Sequence, residues 1–251
     1  MRPHWITSGT NPEGEGFDWV GGETVRADTR LPVKAILGPP NFKAVWWLES
    51  ALAASRSVAR VKLSAGSATG FLIAPDILMT NNHVFENEQD ARFAAIQFNY
   101  RQLADGDLAP RDEWECDPDA MFRTNPDLDY SIVRMKPKDG KHAGDKWGFF
   151  NLRHGARIRP NHRVNIIQHP QGRFQEIAFR DNQVKAVTET VIQYLTDTDY
   201  GTSGSPVFDD WFNVVALHNQ RVADPNDPFR WHRNQGYRVE AILADAGNLI
   251  P

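Results

Sequence analysis

A chain of 251 residues with a formal net charge of -4 is long enough to bury a large core and carries no basic excess for phosphate contacts, so nucleic acid is not an expected partner. Cys116 is the only cysteine, which excludes an intrachain disulfide and, with no HExxH present, leaves no ligand cluster at zinc spacing. The first residues lack an apolar signal-type core and no segment is long and apolar enough to span a bilayer, so a cytosolic protein without a membrane partner is expected.

Residues 1 to 40 are polar, broken by Gly and Pro, and read as an extension ahead of a domain over 41–250. "NFKAVWWLESALAASRS" has helical period: Asn41 stands as N-cap, and Val45, Leu48 and Leu52 recur on one face expected to pack. The period then falls to two. "VARVKLS" alternates as a half-buried strand, and "GFLI" and "ILMT" are apolar runs joined by the turn "APD". Further strands are expected at "AAIQFNY", "YSIVRMK", "RVNIIQH", "EIAF", "NQVKAVTE", "TVIQYL", "SPVFD", "NVVALH" and "GYRVE". "EAILADAGN" reads as a closing helix with Gly247 near its end. Many short strands separated by turn signals predict an all-β sandwich or barrel pair, with "NLRHGARIRPN" (151–161) joining the halves.

Three separated motifs carry chemistry. His83 lies in "LMTNNHVF" after an apolar strand, Asp129 in "LDYSIVRM" before one, and Ser203 in the glycine-flanked turn "DTDYGTSGSPVFDD". A serine hydroxyl needs a base to take its proton, and the base needs an acid to orient it. Strand alternation does not separate Asp129 from Asp127, since both can face one side.

Together "TNNHV", "LDYSIV" and "GTSGSPVF" resemble the chymotrypsin-like (trypsin-fold) serine peptidases, most closely the bacterial branch with glutamyl endopeptidases and trypsin-like peptidase domains. The resemblance runs from about residue 45 to 245. It implies two six-stranded antiparallel β-barrels, at about 57–140 and 155–240, with the active site between them. It also implies His83 as general base, Asp129 rather than Asp127 as its partner, and Ser203 as nucleophile. The backbone N–H groups of Gly201 and Ser203 would form the oxyanion hole, and a side chain at 201 would crowd it. In the animal digestive branch an aspartate precedes the nucleophile and pairs with a new N-terminal ammonium. Here that position is Thr202, which implies activity without such cleavage.

For the substrate pocket the resemblance points two ways. Thr198 and His218 match residues of the glutamyl endopeptidases and imply an acidic P1 side chain, whereas Asp197 falls where the trypsin branch binds Arg or Lys. The acidic reading, with two matches against one, makes cleavage weaken as pH rises and His218 loses its proton. His169, before Gly172 in "NIIQHPQGR", reads as structural, and "RVADPNDPFRWHRNQG" (221–236) reads as a long loop after the pocket strand. A serine endopeptidase acting on protein or peptide, without cofactor, is the first expectation. By analogy with bacterial relatives it would be a regulated intracellular effector with a regulatory partner protein. The alternative is a trypsin-fold binding module without turnover; an esterase fits less, because GxSxG in a strand-to-helix setting is missing.

Overall fold

A computed structural model describes residues 43–180, 182–224 and 226–251, except for the side chains of 228–231. The expected N-terminal extension and the Asn41 cap lie outside these residues, and the unit described is Ala44–Pro251.

Chain order runs α1 (Trp46–Ser55), then strands β1 (Val58–Leu63), β2 (Gly66–Ala74) and β3 (Ile77–Thr80), with α2 (Glu88–Arg92) following. Strands β4 (Ala95–Phe98), β5 (Asp112–Glu115), β6 (Phe122–Asn125) and β7 (Tyr130–Arg134) complete the first half, and α3 (Ala143–Trp147) ends it. The second half holds β8 (Asn165–Gln168), β9 (Glu176–Ala178), β10 (Val184–Val187), β11 (Val191–Tyr194), β12 (Pro206–Phe208), β13 (Val214–Asp224) and β14 (Asp227–Arg238), closed by α4 (Val239–Ala246).

The strands form two antiparallel sheets, ordered β5-β4-β1-β2-β3-β7-β6 and β10-β11-β14-β13-β12-β8-β9. Each sheet thus has seven strands where six were expected, a small difference within the same all-β trypsin-like fold. The two strands without a sequence signal are β5, "DEWE", and β6, "FRTN", the two edge strands of the first sheet and too polar to read as buried.

Apolar side chains fill each sheet separately and then join the two. Phe71, Ile73, Met79 and Ile132 of the first half pack with Ile167, Phe208, Val214 and Leu217 of the second, and α4 adds Val239 and Ile242. This shared core fixes the seam along which the expected site residues lie.

Two sequence expectations need correction. The face of α1 expected to pack is the outer one: Val45, Leu48 and Leu52 are 74%, 64% and 58% exposed, while Trp47 and Ala54 are buried and Ala51 packs beside them. Both stripes have helical spacing, and Trp47 wins because its ring meets Phe212 at 5.2 Å. The expected loop 221–236 is instead a hairpin, in which β13 runs on to Asp224 and pairs with β14 down to Asp224↔Asp227.

Candidate active site

Strand pairing explains why two distant motifs meet. Strands β3 and β7 are antiparallel neighbours, and Thr80↔Ser131 is their last pair, so the chain after Thr80 and the chain before Tyr130 leave the sheet at the same end. His83 sits in the turn after β3 and Asp129 in the turn before β7. The His83 Nδ1 atom lies 3.0 and 2.9 Å from the two Asp129 carboxylate oxygens, and the His83 backbone N–H donates to Oδ1 at 3.1 Å.

The two asparagines of "TNNH" hold this pair. Asn81, fully buried, donates its side-chain N–H to the Asp129 carbonyl at 2.8 Å, and Asn82 donates to Thr124 at 2.7 Å. Asp129 has a φ of 43°, a left-handed conformation that aspartate tolerates better than most side chains. Its neighbours over-determine that conformation, so the carboxylate is fixed before any reaction. Asp127 is exposed, and its one hydrogen bond among the described residues is its backbone N–H donating to Asn125 Oδ1.

Ser203 arrives from the second sheet, in the turn before β12. The Thr69 N–H of β2 donates to the Ser203 carbonyl at 2.9 Å, and the Gly204 N–H donates to the His218 carbonyl at 3.2 Å. Gly204, with φ of +83°, explains one of the flanking glycines: a Cβ there would lie 2.1 Å from the Thr69 carbonyl oxygen and 2.3 Å from Thr80 Oγ1. The Ser203 turn therefore presses directly on the strand end that leads to His83. Gly201, with φ of +86°, explains the other, since its Cβ would meet the His169 carbonyl oxygen at 2.7 Å.

Among the described residues neither the Gly201 nor the Ser203 N–H donates to any acceptor, and the Ser203 hydroxyl makes no hydrogen bond to the His83 ring. The Tyr200 carbonyl accepts from the Gln171 N–H. Because a trans peptide places its N–H opposite its C=O, this contact turns the Gly201 N–H away from Gln171. Buried Thr202 closes the turn from inside, accepting from the Asp199 N–H through its hydroxyl while its own N–H donates to Asp199, both at 3.1 Å. Such a turn supports itself without the ion pair that an aspartate would supply. His169 is fully buried, stacked on Tyr100, and bonded through Nδ1 to the Arg173 carbonyl at 3.1 Å. Burial first, and nearby Arg60 second, lower its pKa to about 4.

The pocket residues gather around β13. His218 is buried, with Nδ1 2.7 Å from the Tyr194 hydroxyl, and Thr198 donates to Asn234 Oδ1 at 2.7 Å. Burial, then His83 and Arg221, pull the His218 pKa down to about 3, so its ring is neutral across the working range and the expected loss of cleavage through its deprotonation does not follow. Asp197 is exposed, and its one hydrogen bond among the described residues is its carbonyl accepting from Gln168 at 3.3 Å.

Arg221 was not anticipated. The β13–β14 register shifts between His218 and Gln220, so His218 pairs with Gly236 and Arg221 with Asn234. Gly236 and Asn234 are two apart on β14 and share a face; the bulge thereby brings Arg221 to the face of His218, against the parity a regular strand would give. Its guanidinium donates to the Thr198 carbonyl at 3.2 Å and lies 3.5 Å from Asp199. The cavity beside it, about 550 Å³, is lined by Asp197, Thr198, Asp199, Arg221, Arg233 and Asn234 among others, and His218 is not part of its lining.

The profile of the trypsin-like peptidase domain matches residues 68–217, more than half of the chain, and spans all three expected catalytic positions. The chain belongs to the trypsin-like peptidase domain family. Among curated proteins it is similar to "Uncharacterized protein y4fB" of Sinorhizobium fredii, at 29% identity over 86% of this chain and 39% of that protein. It is similar to "Secreted RxLR effector protein 73" of Plasmopara viticola at 30% identity over 68% of this chain and 46% of that one. Glutamyl endopeptidase of Staphylococcus aureus matches at 23% identity over 60% of the chain and 46% of the enzyme. The chain thus spans less than half the length of each of these relatives. Among solved structures, Deg5 superposes with a TM-score of 0.57 at 15% identity, covering 78% of this chain and 90% of that one. A Glu endopeptidase superposes at 0.55 and 18% identity with the same coverage. These likenesses establish the trypsin fold for this family member. Among the described residues no helix is long and apolar enough to cross a membrane.

Proposed function

We propose that this trypsin-like peptidase domain is an active serine endopeptidase in which His83, Asp129 and Ser203 form the catalytic triad. The observation that carries the reading is the His83 ring held by both Asp129 oxygens beside a Ser203 turn whose two N–H groups are left without acceptors. Ser203 Oγ attacks the scissile carbonyl carbon while His83 Nε2 takes its proton and Asp129 stabilises the resulting imidazolium. The Gly201 and Ser203 N–H groups receive the oxyanion, His83 returns the proton to the departing amine, and water hydrolyses the acyl-enzyme.

The pocket is read as selecting an acidic P1 side chain. The Tyr194 hydroxyl lies 2.7 Å from His218 Nδ1; read with the tyrosine as donor, the neutral ring carries its proton on Nε2, and Arg221, 3.5 Å from Asp199, supplies the permanent charge that His218 lacks. Exposed Asp197 lines the same cavity and favours the opposite preference; it is weighed lower because Thr198, His218 and the Arg221 charge together stand against it. A regulatory partner protein and a cytosolic setting are also part of the proposal. The matched relatives carry more than half of their length outside the match, and Cys116 is a free, buried thiol pushed up to about 12 by burial.

A P1-resolved peptide library tests the reading: cleavage after Glu or Asp, abolished by Ser203→Ala, supports it, and cleavage confined to Arg or Lys reverses the pocket assignment. The second reading, a trypsin-fold binding module without turnover, is favoured by one observation, the missing hydrogen bond between Ser203 and His83. Catalytic hydrogen bonds commonly tighten only once substrate is bound, so that gap does not outweigh the rest.

A further inference from the structure

Thr69, in the middle of β2, belongs to the first sheet and is fully buried, yet most of its polar atoms serve the second. Its N–H donates to the Ser203 carbonyl at 2.9 Å, and its own carbonyl accepts from Thr80 Oγ1 at 2.8 Å. Its hydroxyl donates to the Gly201 carbonyl at 2.9 Å and accepts from the His169 N–H at 3.0 Å. A hydroxyl has a single proton to give, and this one is committed to Gly201.

We infer that Thr69 is a positioning residue for the oxyanion site, its hydroxyl clamping the Gly201 backbone to the first sheet and to the His169–Gly172 turn. The inference rests on the acyl-transfer reading and adds to it the group that sets the donor geometry. Gly201 has no Cβ and is conformationally soft by itself, so its two flanking peptide planes must be held from outside. One plane is held where Gln171 N–H donates to the Tyr200 carbonyl, the other where the Thr69 hydroxyl donates to the Gly201 carbonyl. Gln171 belongs to the turn whose His169 N–H rests on that same hydroxyl. Removing one oxygen atom therefore loosens both planes together. The Gly201 N–H is then free to rotate out of the line on which an oxyanion forms.

Thr69→Val keeps the shape of the side chain and removes the hydroxyl, while Thr69→Ser keeps the hydroxyl. Steady-state hydrolysis of a peptide substrate should show Thr69→Val lowering kcat by ~10²-fold with KM little changed, the scale of a misplaced oxyanion donor. Affinity for a peptide aldehyde, which adds Ser203 Oγ to form a tetrahedral adduct, should fall by a similar factor, and Thr69→Ser should restore both. Thermal unfolding checks that each variant is folded, and Thr69→Ala replaces the valine variant if that one is not. Unchanged kcat in a folded hydroxyl-free variant, a loss confined to KM, or no recovery with serine would overturn the clamp alone. A folded wild-type protein that hydrolyses no peptide and binds no aldehyde would overturn the acyl-transfer reading and the clamp with it.

Discussion

Adding one methyl group at Gly204 tests whether the Ser203 turn is built against the first sheet. In Gly204→Ala the new Cβ would stand 2.1 Å from the Thr69 carbonyl oxygen and 2.3 Å from Thr80 Oγ1, well inside van der Waals contact. Neither neighbour moves cheaply: one is strand backbone, and the other is a buried hydroxyl already bonded to that same carbonyl. The φ of +83° adds a conformational cost of ~1–2 kcal/mol for an L side chain, and overpacking adds ~1–3 kcal/mol. A loss of about 2–5 kcal/mol is a large part of the ~5–15 kcal/mol that holds a domain together. Urea unfolding reads this loss as a lowered midpoint. Gly66→Ala is the matched control, since nothing lies within 4 Å of its Cβ and its φ is not in the left-handed region. Peptide hydrolysis by whatever folded Gly204→Ala remains should drop by ~10²-fold, because a turn displaced by about 1 Å carries Ser203 out of line. A stability loss under about 1 kcal/mol with full hydrolysis would refute the packing argument.

Further predictions concern the acid, the pocket and pH. Asp129→Asn should lower kcat by ~10⁴-fold through the wrong His83 tautomer, and Asp127→Asn should leave it unchanged; the reverse pattern in peptide hydrolysis contradicts the assignment. Arg221→Gln should cut kcat/KM for a Glu-P1 peptide by ~10–100-fold, the worth of one charge-assisted hydrogen bond, and spare a Gln-P1 peptide. Equal losses on both peptides would remove Arg221 from the pocket. His169 and His218, held neutral by burial at about 4 and about 3, bind protons more readily when unfolded, where histidine titrates near 6.5. Their contribution is complete above that value and is lost as pH falls through it towards the folded values. Urea unfolding should therefore show a loss of about 2 kcal/mol between pH 7 and 5.5, above the range where the carboxylates titrate. A flat stability over that interval would contradict the burial of the two neutral rings.

The three proposed catalytic positions stood out as candidates because each stands where strand and turn signals meet: His83 after "ILMT", Asp129 before "YSIV", Ser203 ahead of "SPVF". What brings them together was not legible, since Thr80↔Ser131 pairing and the Thr69 contacts are long-range and leave no local pattern. Thr69 itself sits in "GSATGF", just ahead of the expected run "GFLI", and its small neighbours carry no signal. Arg221 escaped for a different reason: it read as the first residue of a loop, and even a longer strand would put it on the face away from His218 until the bulge in the β13–β14 ladder is counted. The hairpin of β13 and β14 was hidden by the two prolines in "RVADPNDPFRWHRNQG", which read as loop signals in the sequence. In α1, apolar residues on nearly every side leave two stripes of helical spacing, and the positions of Phe212 and Phe179 against Trp47 decide which one is buried.

The central claim is that Ser203 is a nucleophile armed by His83 in the protein as it stands, with no cut needed to order its turn. Treating the uncut, folded protein with a fluorophosphonate probe and locating the adduct by mass spectrometry tests it most directly. One phosphonyl group on Ser203 is expected, its formation slowed severely by His83→Ala and absent in Ser203→Ala. Folded protein that takes no label, or takes it only after N-terminal cleavage, would contradict the claim.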